Sequence, residues 1–179
     1  MQAFNSLLLW LERVFIIVAG AMLLVIMMIA TADVALRYIF NSPLGWSYDI
    51  ISLYLMAGVF FFALSDTLEK NGHVAVDLLH ASLTHRARHA VEIPGYLLVL
   101  PVLGAIAWLA FSRAVEDYRG GDVIAGRFGW PTWISVAFAA SGFTLMTLRV
   151  IYRLVGHTAS AVTGQSLICL PPLAGREDI

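Results

Sequence analysis

Four long runs without a single charge constrain this chain more than any other feature. Between Arg13 and Asp33 stand 19 uncharged residues, VFIIVAGAMLLVIMMIATA, which as a helix reach about 29 Å, the thickness of a bilayer core. A second run, IISLYLMAGVFFFALS, has 16 residues between Asp49 and Asp66, so its ends draw on Tyr48 and Asp49 at headgroup depth. The third, IPGYLLVLPVLGAIAWLAFS, supplies 20 between Glu92 and Arg113; Pro94 suits a first turn and Pro101 kinks the helix. The fourth covers residues 128 to 148 and stops at Arg149, with Pro131 starting it and Trp130 and Trp133 at an interface. The pattern predicts an all-α membrane protein with spans near 14–36, 48–66, 93–113 and 130–152, each long enough to cross. Residues 1–155 form one four-span domain and 156–179 a tail.

Composition agrees with that reading and narrows it. The chain is 60% hydrophobic and 13% charged, where a soluble domain carries about 25% charged residues. Net charge is −1 with no basic block, which argues against nucleic acid as a partner. A single cysteine, Cys169, rules out a disulfide framework and Cys/His metal spacing. Ala30, Thr31 and Ala32 imitate a secretory cleavage site, but the apolar run before them is too long for a leader and Glu12 sits beside Arg13 where such a leader is positive.

Four spans put both termini on one side. Arg13, Lys70, Arg86, Arg88, Arg149, Arg153 and Arg176 fall there, seven basic residues against four opposite, Arg37, Arg113, Arg119 and Arg127. The basic excess marks the terminal side as cytoplasmic.

The stretch TADVALRYIFNSPLGWSYD concentrates polar residues on the other side. Asp33 and Arg37 are one helical turn apart and can pair as the first helix leaves the membrane. Asn41, Ser42, Pro43 and Gly45 turn the chain back, Trp46 suits an interface, and Asp49 complements the positive end of the next helix. The result is a pinned extracytoplasmic corner.

Residues 73 to 90 are too polar to cross. Val76, Leu79, Leu83 and Ala87 form one apolar stripe, while Asp77, His80, Thr84 and Arg88 gather on another face; this predicts an interfacial amphipathic helix between spans two and three. Arg86 and Arg88 then meet the anionic headgroups of membrane lipids.

Several chemistries lack their residues. All five histidines, at 73, 80, 85, 89 and 157, lie outside the apolar runs, so no span supplies haem ligands. His85 and His89 are four apart but have no third defined metal ligand. No nucleophile elbow, phosphate loop or zinc-protease motif is present, so neither catalytic residues nor a cofactor is expected. Asp33, Asp49, Asp66 and Glu92 all punctuate spans and none interrupts one, an unpromising arrangement for a carrier acting alone. Small residues, Ser135, Ala139, Ala140, Ser141 and Gly142 on the fourth span with Ala57 and Gly58 on the second, offer close helix packing within the chain or against a partner.

The segments DVALRYIFNSPLGWSYD after span one, NGHVAVDLL after span two and GWPTW at span four together resemble the DctQ-like small membrane subunit of tripartite ATP-independent periplasmic (TRAP) transporters. That resemblance implies a heterodimer with a large membrane subunit in the bacterial inner membrane, a soluble substrate-binding protein outside, and sodium-coupled uptake of an organic acid. This chain is then the non-catalytic scaffold. Carried over by position, Asp33, Arg37, Asn41, Pro43, Trp46 and Asp49 form the outer corner and partner contact, and Gly72, His73, Val76 and Asp77 open the surface helix. Gly72 and His73 define its entry turn, and Asp77 caps or pairs nearby. The loop RGGDVIAGRFG and the tail match nothing in that pattern. Two other classes stay open: a membrane anchor of a respiratory complex, which needs span histidines, and a small homodimeric transporter that works by itself.

Overall fold

The computed structural model describes residues 2–70, 85–124, 128–163 and 168. Helix α1 runs Gln2–Phe40, α2 Ser47–Ile50, α3 Met56–Glu69, α4 His85–Gly120 and α5 Trp133–Thr163; a π-helical turn, Ile51–Leu55, joins α2 to α3 without a break. Four stretches are long and apolar enough to span a membrane: Phe4–Phe40, Ser47–Glu69, His89–Gly120 and Trp133–Thr163. The four apolar runs therefore become four helices, as their lengths predict. Among the described residues there is no strand, only an isolated bridge between Val123 and Pro131.

The helices outlast the apolar runs. Helix α1 has 39 residues, about 58 Å of helix against a core of about 30 Å. A run of apolar residues reports where lipid ends, whereas a helix continues wherever its polar side chains find partners. Helix α5 accordingly passes through the first eight residues of the expected tail, 156–163. Pro94, expected in a first turn, is the tenth residue of α4, which continues through Pro101 as well. Both prolines are exposed, so their rings face outward.

The expected surface helix is only partly in view. Gly72, His73, Val76, Asp77, Leu79 and Leu83 lie outside the described residues. Residues 85–90 are the opening turns of α4, which runs unbroken into the third span. Arg86 and Arg88 therefore belong to α4, and position 90 is not a helix end.

Helix α5 is the hub of the packing, with α4 along one side and α3 along another, while α1 packs on α3. Gly142 explains how α5 and α3 approach: a Cβ there would run into the carbonyl oxygen of Phe61. Gly58 stands against the flexible end of the Met22 side chain of α1. Between these glycines Phe62 of α3 meets Phe15 of α1 and Phe138 of α5, at centroid distances of 4.6 and 5.2 Å. The outer helices keep large apolar side chains uncovered, among them Ile17, Leu24 and Met28 on α1 and Leu98, Trp108 and Leu109 on α4. In lipid such faces carry no hydration penalty. An apolar groove of about 490 Å³ opens along α5 between α1 and α4, lined by Leu11, Phe15, Phe111, Ala140, Ser141 and Leu148.

Candidate functional site

Among the described residues, polar and charged side chains are buried at both ends of the helices and not between them. The buried polar or charged residues among those described are Glu12, Ser65, His89, Arg149, Arg153, His157 and Ser160 toward the terminal end, and Asp33, Ser47 and Asp117 toward the other. Along α1, the 21 residues from Glu12 to Asp33 span about 31 Å. The two polar layers are thus one hydrocarbon thickness apart, and the apolar length of each helix lies between them.

The outer layer begins with the expected pair. Arg37 Nη2 donates to Asp33 Oδ2 at 2.9 Å. The other carboxylate oxygen, Oδ1, accepts the Leu44 amide at 2.7 Å and faces the Ser47 hydroxyl at 3.2 Å. Asp33 is 12% exposed at its side chain and Arg37 60%, so the aspartate anchors the corner and the arginine covers it from outside. Asn41 ends α1 in the left-handed region at φ 50°, a conformation asparagine tolerates better than most residues, and the Ser42 amide reaches back to the Leu36 carbonyl at 3.3 Å. Pro43 and Gly45 are exposed, Trp46 is half-buried, and Asp49 falls in the first turn of α2. Leu44 and Ser47 are the partners that sequence reasoning missed; a backbone donor carries no sequence signal at all.

The glycine-rich loop that fits no recognisable pattern is folded at its base. Gly121 turns at φ 65°, the Ile124 amide donates to the Trp130 carbonyl at 2.9 Å, and the Thr132 amide to the Asp122 carbonyl at 3.1 Å. The Tyr54 hydroxyl, carried on the π turn, donates to the Pro131 carbonyl at 2.7 Å. A π turn adds one residue to the helical circuit and so re-aims a side chain; here it ties the second span to this loop. At the base of the loop, Arg113 Nε stands 3.3 Å from Asp117 Oδ1.

The inner layer was not foreseen. Arg149 is fully buried and Glu12 is 2% exposed at its side chain. The guanidinium grips that carboxylate with two parallel bonds, Nε to Oε1 at 2.8 Å and Nη2 to Oε2. Its remaining nitrogen, Nη1, donates to Asn5 Oδ1 at 2.9 Å and lies 3.0 Å from Glu69 Oε2. Ser65 donates its hydroxyl to Glu12 Oε1 at 2.5 Å. One turn further along α5, Arg153 donates to the Tyr96 hydroxyl at 3.1 Å and to the Glu69 carbonyl at 2.9 Å. Two arginines and two glutamates cancel in charge, and their side chains come from α1, α3 and α5, with Tyr96 adding α4. This cluster is where all four spanning helices are joined by polar contacts. Beside it, His89 of α4 and His157 of α5 meet at Nδ1, 2.9 Å apart, and His89 is fully buried.

Of the five packing residues expected on the last span, Gly142 makes a close interhelical approach and Ala140 is buried. Ser141 lines the groove and turns its hydroxyl onto the Phe138 carbonyl at 2.9 Å. Ser135 bonds the Thr132 carbonyl in the opening turn of α5, also at 2.9 Å, and Ala139 is half-buried.

Long apolar helices joined by ion pairs at one end and by hydrogen bonds at the other, with apolar packing between them among the described residues, define a multi-pass membrane protein. The family described as "Tripartite ATP-independent periplasmic transporters, DctQ component" matches residues 26–159, 134 of the 179 residues, and the chain belongs to it. The match holds the outer corner together with Arg149, Arg153 and His157, while Glu12 precedes it. No curated protein matches the chain.

Proposed function

We propose that this chain is the non-catalytic scaffold subunit of a TRAP-type, sodium-coupled secondary transporter for organic acids. It braces the large membrane subunit in the bacterial inner membrane and helps dock the substrate-binding protein. The observation that carries the reading is the distribution of buried charge: the charged clusters sit in the two interfacial layers, where Arg149 ties α5 to Glu12 of α1 and Glu69 of α3 at one face and Asp33 holds the turn that follows α1 at the other, whereas a group that moves ions or solute has to stand within the membrane. Membership in a family of transporter components supports this choice of partners.

The uncovered apolar sides of α1 and α4 are the surfaces for the large subunit and lipid. Asp33, Arg37, Asn41, Pro43, Trp46 and Asp49 form the outer face toward the binding protein, and the opening turns of α4 and the last turns of α5 stand on the cytoplasmic side with both termini. Co-expression with the large subunit tests this. A stable one-to-one complex is expected after purification, and recovery of this chain as a monodisperse, stable species with no associated subunit contradicts the reading.

A further inference from the structure

The paired histidines lie outside the work assigned to the scaffold. His89 and His157 belong to different helices, are 68 residues apart in sequence, and face each other at 2.9 Å through Nδ1. Both rings are buried. The Tyr96 ring lies nearly parallel to His157, with centroids 5.5 Å apart and planes 19° apart. From Trp133 to His157 is 24 residues, about 36 Å of helix, so the pair stands beyond the hydrocarbon core in the interfacial layer.

Two nitrogens at that separation share one hydrogen: one ring donates and the other accepts with its lone pair. The acceptor ring must be neutral at Nδ1. A second proton would set two N–H groups and two positive charges against each other, with Arg153 one helical turn before His157 adding a third. Among the described residues, other ionisable groups on the elements packed here are Glu92 and Tyr96 on α4, Arg149 on α5 and Glu69 on α3. Glu69 faces both arginines, and Arg149 is further held by Glu12 of α1. Glu92 lines the small cavity that Tyr96 shares with Leu68 and Val150.

We infer that the His89–His157 contact is a proton-sensitive joint, which holds the inner ends of α4 and α5 together while the two rings carry at most one proton between them and releases them when both are protonated. The sign follows from proton counting. Below the ordinary histidine range, near 6.5, the open form binds two protons here and the closed form no more than one. Acid therefore favours opening, by a factor that approaches about tenfold per pH unit well below that range when the closed form keeps one proton. The inference is independent of the transporter reading, since it concerns only how two helices of this chain meet.

Amide exchange of residues 89–96 and 153–160, measured from pH 8 to 5 on the full-length chain in nanodiscs with any co-purifying subunit retained, tests the joint. After correction for intrinsic rates, protection of these segments relative to residues 103–110 should fall ever more steeply below pH 6, approaching about tenfold per pH unit near pH 5. In His157→Asn, and reciprocally in His89→Asn, the amide can turn its oxygen toward a protonated imidazole, so the fall should vanish. Equal pH dependence in the wild type and both variants overturns the inference. Should neither variant accumulate, the histidine nitrogen NMR signals of the wild-type chain decide. Ring signals showing no more than one imidazolium in the closed state support the joint, and two rings titrating independently near 6.5 with the segments still protected refute it.

Discussion

Arg149 closes on Glu12 across 137 residues of sequence, nitrogen facing oxygen in two parallel contacts, with both side chains sealed from solvent. Such a pair gains little over an apolar substitute, because both ions must be stripped of water, but breaking it by removing one partner leaves a buried charge. Its role is to fix how the first and last spans meet.

Glu12→Ala is accordingly expected to destabilise the chain by about 3–5 kcal/mol, and Arg149→Met by a similar amount. The double variant should lose distinctly less than the sum. Thermal unfolding of the four species in one detergent checks this, and strict additivity would show that the two residues do not act as a pair.

At the outer corner the two members of the ion pair should behave differently. Asp33→Ala strands the Leu44 amide and frees Arg37, for a loss of about 1–3 kcal/mol. Arg37→Ala removes an exposed partner and should cost no more than about 1 kcal/mol. Denaturation midpoints that rank the arginine above the aspartate would reverse the assignment of the anchor.

Close approach of α3 and α5 rests on one missing Cβ. Gly142→Val must push against the Phe61 backbone and should cost at least about 1–3 kcal/mol, whereas Ser141→Ala, whose hydroxyl bonds its own helix, should stay within about 0.5 kcal/mol. Parallel melting curves distinguish the two.

These contrasts also show what the sequence makes legible. Charge-free length reports each span, because lipid accepts only apolar side chains over that distance. The Asp33–Arg37 pair is readable because helical spacing alone sets its partners one turn apart. Glu12 and Arg149 look like two unrelated span ends; only the packing of α1 and α5 around α3 makes them neighbours. The one available signal was their common side, together with the four-residue spacing of Arg149 and Arg153 along α5. His89 and His157 are hidden for the same reason, and the ends of α1 and α5 because apolar length understates helical length once polar side chains find partners.

Uptake into proteoliposomes tests the central claim most directly. Vesicles holding this chain alone, the large subunit alone, or both are supplied with the loaded binding protein and an inward sodium gradient. A bracing subunit predicts gradient-driven uptake only where both membrane chains are present, and a silent membrane where this chain is by itself. Solute accumulating in vesicles that contain only this chain would contradict the account.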